Sequence, residues 1–277
     1  TILTAAHCVT NEGTTSSEDW GAPGVAPLTK MIGFGVNTIN PLLNFINSDT
    51  LIGYNEGGVA LSTDVIIHPS AELTHGNQAF PWTDTALVAM NEPVADVTPM
   101  GMLLSPLSSL THVVQIGYGT YGLGSTGQQT IGTKRLMGEN MLGLLGSDAD
   151  FFDAMLPASA PWADYGWETQ VEYYTDFDNP KRPSANAGCT FTGNDIICAS
   201  AAAVQNIDYF PGDALPREVT TAPGDSGGPL IADQIYSQSL VIGNLSGGWT
   251  IFGTPADEYG ANGTSFYQPL FSEWQFL

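Results

Sequence analysis

Apolar residues in this chain never run far before a glycine, a proline or a small polar residue interrupts them. Its 277 residues include 32 glycines and 18 prolines, which punctuate the chain into turns and leave little room for long helices. The apolar runs that remain are short and rich in Val and Ile: 65–67, 86–90, 113–116, 196–199, 229–232 and 239–242. Runs of this kind read as β-strands, and many short strands with few amphipathic helices predict an all-β sandwich or barrel. A helix is expected over residues 269–276, a second over 148–156, and a short turn from Ala5. Residues 11–58 and 121–188 read as long surface loops, of the kind that carry function or local structure.

Charge excludes whole classes of partner. Six basic residues stand against 28 acidic ones, for a formal net charge of −22. Such a chain repels nucleic-acid backbones and anionic membrane surfaces, so neither is an expected partner. No apolar run reaches the roughly 18 residues a spanning helix needs. The acidic composition fits a highly soluble extracellular protein. The three cysteines are Cys8, Cys189 and Cys198. The last two are close enough to close a short loop, which leaves Cys8 without an evident partner.

Three segments carry chemistry. In Gly224-Asp225-Ser226-Gly227-Gly228-Pro229, glycines flank a serine and let backbone approach a substrate carbonyl. The amides of Gly224 and Ser226 can then aim at one oxygen, as an oxyanion hole requires. In Thr4-Ala5-Ala6-His7-Cys8, an apolar lead-in brings a histidine to the end of a strand, where a neutral imidazole can take a proton from a serine hydroxyl. In Asp84-Thr85-Ala86-Leu87-Val88, an aspartate heads an apolar strand, which suits a buried carboxylate that orients an imidazole. Singly, each has an ordinary structural reading: a glycine turn, a core histidine, a solvated loop aspartate.

Together, and in the order His, Asp, Ser, these segments resemble the trypsin/chymotrypsin family of serine peptidases. Gly117-Tyr118-Gly119-Thr120 is similar to the segment that opens the family's second barrel, with Tyr in place of Trp. Residues 263–269 resemble the last strand of the secreted bacterial members. The resemblance implies an all-β fold of two packed six-stranded antiparallel β-barrels, chymotrypsin-like, with a C-terminal helix. Residues 1–111 would form the N-terminal barrel with His7 and Asp84, and residues 112–277 the C-terminal barrel with Ser226 and the specificity pocket. It further implies a catalytic triad of His7, Asp84 and Ser226, an oxyanion hole from Gly224 and Ser226, and a Cys189–Cys198 disulfide. Thr220 falls at the base of the specificity pocket, where an uncharged residue argues against a preference for basic side chains. Ser246 and Gly248 match the strand that pairs with substrate backbone, and Gly263 completes the substrate-binding set.

The chain also departs from the family. The residues that would precede the histidine motif are missing from the sequence, so the first barrel is expected to be incomplete at its N-terminus. Those residues would include a partner for Cys8 and the ammonium that pairs with Asp225, so a missing N-terminal segment or chain is an expected partner. The expected function is that of a secreted serine endopeptidase acting on protein or peptide substrates, with no metal and no organic cofactor. The alternatives are an inactive protease homologue serving as a binding or regulatory module, and an esterase on the same scaffold. Asn244 and Asn262 begin glycosylation-type triplets on strands expected to line the pocket. The acidic residues at 176–178 read as a solvated turn rather than a calcium site, and His68, His75 and His112 as structural or surface residues.

Overall fold

Antiparallel pairing gathers most of the short apolar runs into two curled half-barrel sheets, an arrangement compatible with a double β-barrel. The computed structural model describes residues 1–9, 31–33, 59–71, 83–94, 97–108, 110–123, 127–130, 134–147, 150–151, 170–178, 189–192, 195–198, 210, 214–250 and 263–277. Strands β1 (Ile2–Thr4), β2 (Met31–Gly33), β3 (Val59–Ile67) and β4 (Ala86–Met90) form the first sheet, in the order β1-β4-β3-β2. There follow β5 (Gly101–Met102), β6 (Thr111–Gly117), a separate hairpin of β7 (Tyr121–Leu123) and β8 (Gly127–Thr130), β9 (Leu136–Leu142), β10 (Leu144–Ser147) and β11 (Val171–Asp176). A second hairpin joins β12 (Cys189–Thr192) to β13 (Asp195–Cys198), and the chain continues through β14 (Pro229–Ala232), β15 (Leu240–Thr250) and β16 (Gly263–Pro269). The second sheet runs β10-β11-β16-β15-β14-β6-β9, with β5 laid parallel along β15.

Each sheet closes over its own apolar cluster. Under the first lie Ala6, Val65, Ala86 and Val88, with Ile2, Ile32 and Ile67 packed against them. Under the second lie Val113, Leu142, Tyr173, Leu230, Ile242 and Tyr267. The alternation of buried and more exposed positions along β4 is what a strand with one covered face produces. All seven residues of β16 are buried, because β11 and β15 flank it and the sheet curls around it.

Three sequence expectations are corrected. The expected C-terminal helix over 269–276 is instead a run of turns. Ser272 N–H bonds to Pro269 O, Glu273 N–H to Leu270 O and Phe276 N–H to Glu273 O, at 3.3, 3.1 and 2.9 Å. Side chains compete with a helix there: the Ser272 hydroxyl lies within donating reach of either the Pro269 carbonyl at 2.7 Å or Glu273 Oε1 at 2.9 Å, while Glu273 accepts from Gln268 and meets His68. The second correction concerns residues 121–188, which hold β7 to β11 rather than one long loop. Their polar residues hid the strands. Asn140, in mid-β9, is buried because its amide donates to the carbonyls of Asp176 and Val219 at 2.7 and 2.8 Å. Asp176 and Asp178 are likewise buried, not a solvated turn. The Asp176 carboxylate accepts from Phe210 N–H, and Asp178 N–H donates to Glu218.

The turn expected from Ala5 is a short 3-10 turn, Ala6–Cys8. Most of the helix expected over 148–156 lies outside the described residues, as do His75, Asn262 and most of 11–58. Among the described residues no helix is long and apolar enough to cross a membrane.

Candidate active site

His7 leaves β1 through the 3-10 turn and meets Asp84, two residues before the start of β4. Because β1 pairs with β4, two residues 77 positions apart become neighbours. The carboxylate grips His7 twice. Its Oδ1 accepts the His7 backbone N–H at 2.9 Å, and its Oδ2 lies 2.6 Å from ring Nδ1. An ionised carboxylate can only accept, so Nδ1 carries the proton and Nε2 is the basic nitrogen of the neutral ring. Asp84 is fully buried and His7 partly so. Cys8 Sγ is exposed and lies 3.6 Å from Nε2. Burial alone would lower the His7 pKa. The hydrogen bonds from Asp84 and Cys8, with their charges, outweigh it and raise the pKa from 6.5 to about 10.

The second sheet supplies the rest of the Asp84 environment. Ser246 Oγ donates to Asp84 Oδ2 at 2.7 Å, and Asn244 Nδ2 donates to the Asp84 carbonyl at 2.9 Å. Thr85 Oγ1 completes the cluster on Asn244 Oδ1 at 3.3 Å. The β15–β16 register slips between Leu245 and Gly247, so Ser246 sits at a bulge, a feature that re-aims side chains. Ser246, Asn244 and Thr85 are all buried. Sequence reading missed these side-chain roles, treating Ser246 only as backbone for substrate and Asn244 as a glycosylation-type triplet. The one available signal was their spacing of two on a strand, which does not reveal the partner they face.

Ser226 is the second residue of the later of two consecutive tight turns that share Asp225. Asp225 N–H bonds to Ala222 O at 3.0 Å, and Gly228 N–H bonds to Asp225 O at 2.9 Å. Gly224 and Gly227 occupy the third positions of these turns with φ of +93° and +76°, the backbone that type II turns reserve for glycine. The N–H groups of Gly224 and Ser226 are not among the donors that close the turns. Gly227 also packs on the histidine segment. A Cβ there would come within 2.2 Å of Thr4 Oγ1 and 2.9 Å of Ala5 N. The serine turn and the His7 turn are therefore in direct contact across the two sheets.

Asp225 is held by the N–H groups of Gly119 and Ala222, at 2.7 and 2.9 Å. Burial nevertheless raises its pKa above the ordinary aspartate value. It lines a cavity of about 320 Å³ together with Gln115, Tyr121, Leu123, Phe177 and Thr220. Thr220 Oγ1 meets Ser265 Oγ at 3.1 Å, and Thr221 Oγ1 meets the same hydroxyl at 2.8 Å. Ser265 is thus a further residue at the expected pocket base, hidden in sequence because it lies on β16. Gly248 pairs with Ser265, and Gly263 with Thr250, in the β15–β16 ladder.

Elsewhere, Cys189 stands directly opposite Cys198 in the β12–β13 register. His68 Nε2 contacts Glu273 at 3.1 Å and His112 Nδ1 contacts Asp233 at 2.6 Å. Asn244 is buried with its amide engaged, which leaves no room for a glycan. Among the described residues no group of three or more His, Cys, Asp or Glu could hold a metal ion. No protein-family model and no curated protein matches this chain.

Proposed function

We propose that the chain is a secreted serine endopeptidase, similar to the trypsin/chymotrypsin family, that hydrolyses peptide bonds in proteins through an acyl-enzyme. The observation that carries this reading is the 2.6 Å bond between His7 Nδ1 and buried Asp84, beside a glycine-bounded serine turn packed on the same histidine segment. In the proposed reaction Ser226 Oγ attacks the scissile carbonyl and His7 Nε2 takes its proton. The Gly224 and Ser226 amides stabilise the oxyanion, and His7 returns the proton to the leaving amine. Water, deprotonated by His7, then cleaves the ester and regenerates the serine hydroxyl. Asp84 keeps the Nδ1–H tautomer and stabilises the imidazolium.

The uncharged hydroxyls of Thr220, Thr221 and Ser265 support an apolar or aromatic preference before the scissile bond over a basic one. The Cys189–Cys198 disulfide belongs to the same proposal, supported by their cross-strand register. So does an ammonium partner for Asp225 from a preceding segment, supported by the cavity that Asp225 lines.

A fluorophosphonate probe tests the reading. The expected result is one covalent adduct on Ser226, absent from Ser226→Ala, with casein turned over by the unsubstituted protein. Labelling that survives Ser226→Ala removes Ser226 from the role. Turnover of small esters without casein cleavage replaces the peptidase by an esterase.

A further inference from the structure

The residue before Asp84 is strained. Thr83 has φ +48°, a left-handed conformation that is a genuine outlier for a β-branched residue. Its carbonyl accepts Thr85 N–H at 2.7 Å, closing a three-residue turn with Asp84 at its centre. Rotation at Thr83 would therefore swing Asp84. Such strain persists only where surrounding structure imposes it, and an observed outlier beside reactive groups motivates a functional hypothesis.

The constraint comes from Gln170, the residue just before β11 of the second sheet. Gln170 Oε1 accepts the Thr83 N–H at 2.7 Å across 87 residues. Gln170 Nε2 donates to Glu172 Oε1 at 2.6 Å, and Glu172 Oε2 accepts from Tyr174 Oη–H at 3.1 Å. Gln170, Glu172 and Tyr174 are all buried. The orientation of the Gln170 amide is dictated from both ends. A backbone N–H can only donate, so the amide oxygen must face Thr83. An ionised carboxylate can only accept, so the NH2 must face Glu172. Buried polar groups wired in this way rigidify what they touch.

We infer that Gln170, oriented by Glu172, is a positioning residue that holds the Thr83–Asp84–Thr85 turn so that Asp84 meets the His7 ring. This inference rests on the proposed peptidase reading, and it adds the residue leading into β11 to β15 as a second element gripping the same turn.

The test begins with the unsubstituted protein, whose probe labelling at Ser226 and casein turnover establish the reading independently. In Gln170→Ala, the plateau kcat per labelled site, read at the alkaline end of a pH–rate profile, is expected to fall roughly tenfold to a hundredfold, with KM changed by less than about twofold. Weakened contact with Asp84 also lowers the His7 pKa, read by NMR titration of the ring without reference to turnover. A role in stability alone would reduce the amount of labelled protein and leave both quantities unchanged. Rescue comes from exchanging the partners. Gln170→Glu alone sets two carboxylates together and is expected to lose activity. Combined with Glu172→Gln it restores an acceptor for Thr83 N–H and an amide-to-carboxylate bond, and kcat is expected to return to within about fivefold of the parent. The inference is overturned if Gln170→Ala, folded and labelled, keeps its kcat and its His7 pKa. If Gln170→Ala does not fold, it is overturned by an exchange variant that folds and labels yet recovers no activity over Gln170→Glu. Loss of Ser226 labelling in the parent would instead overturn the peptidase reading.

Discussion

Ser246 Oγ donates to Asp84 Oδ2 at 2.7 Å, the oxygen that also faces the His7 ring at 2.6 Å. The two halves of the fold are therefore joined at the carboxylate itself. Asp84 comes from the turn leading into β4, an interior strand of the first sheet, and Ser246 reaches it from a bulge in the second. A fully buried carboxylate needs such donors, because leaving one of its oxygens undersolvated would favour the protonated form.

Ser246→Ala is accordingly expected to destabilise the protein by about 1.5–3 kcal/mol, the range for a hydrogen bond to a charged group. It should also lower kcat several-fold, because one constraint on Asp84 is gone. Urea denaturation and initial rates check the two effects separately. Ser246→Ala with parental stability and rate would show that the bond contributes nothing.

Activity should rise steeply towards alkaline pH. With the His7 pKa raised to about 10, the neutral base is roughly one part in a thousand at neutral pH. The value of kcat/KM is then expected to increase about tenfold per pH unit from neutral until near that pKa. Asp84→Asn removes the main raising contact, so it should move the onset to lower pH. It should also cost roughly 10⁴-fold in kcat through loss of the tautomer. A pH–rate profile of each protein decides this, and a parental plateau already reached at neutral pH would contradict it.

Gly227→Ala should separate the serine turn from the histidine turn. The new methyl meets Thr4 Oγ1 at 2.2 Å and Ala5 N at 2.9 Å, in a backbone with φ +76°. Backbone cannot yield as a flexible side chain can, so probe labelling is expected to fall at least about a hundredfold. Adding Thr4→Ala removes the shorter contact but neither the second nor the unfavourable φ, so it should restore labelling only in part. Labelling rates of the single and double variants test this directly.

Stability should decline from mildly acid to alkaline pH. A folded-state pKa raised above the unfolded value stabilises the protein below the unfolded value, and that contribution is lost as pH climbs through the folded one. For His7 the window runs from 6.5 to about 10. Asp225 has the same sign, its contribution lost as pH rises from the unfolded 3.8 through its raised folded value. The net charge of −22 adds self-repulsion at high pH. Scanning calorimetry should give a higher Tm at about pH 6 than at about pH 10, with a smaller difference in His7→Gln.

Much of the fold was legible because strand signals are local. The runs at 65–67, 86–90, 113–116 and 229–232 lie in strands, as does the run at 239–242 from Leu240 onward, where Val and Ile alternate or cluster between turn residues. The turns around Ser226 were legible too, since Pro223-Gly224 and Gly227-Gly228 suit glycines at positive φ. What escaped was polar and non-local. Asn140 disguised β9 because its bonds go to residues 36 and 79 positions away. At the C-terminus, side-chain bonds of Ser272 and Glu273 replaced a helix that the local pattern favoured.

The sequence by itself determined the chemistry on offer: an imidazole at the end of β1, a carboxylate heading β4, and a hydroxyl between glycines whose φ only they readily adopt. These are properties of short segments, set by side-chain type and backbone sterics. Only the tertiary structure decided which groups surround the carboxylate. Ser246 and Asn244 from β15 and the Gln170 strap leading into β11 reach the Asp84 turn because two curled sheets meet there. A hydrogen bond depends on distance and direction in space, and sequence separation carries neither.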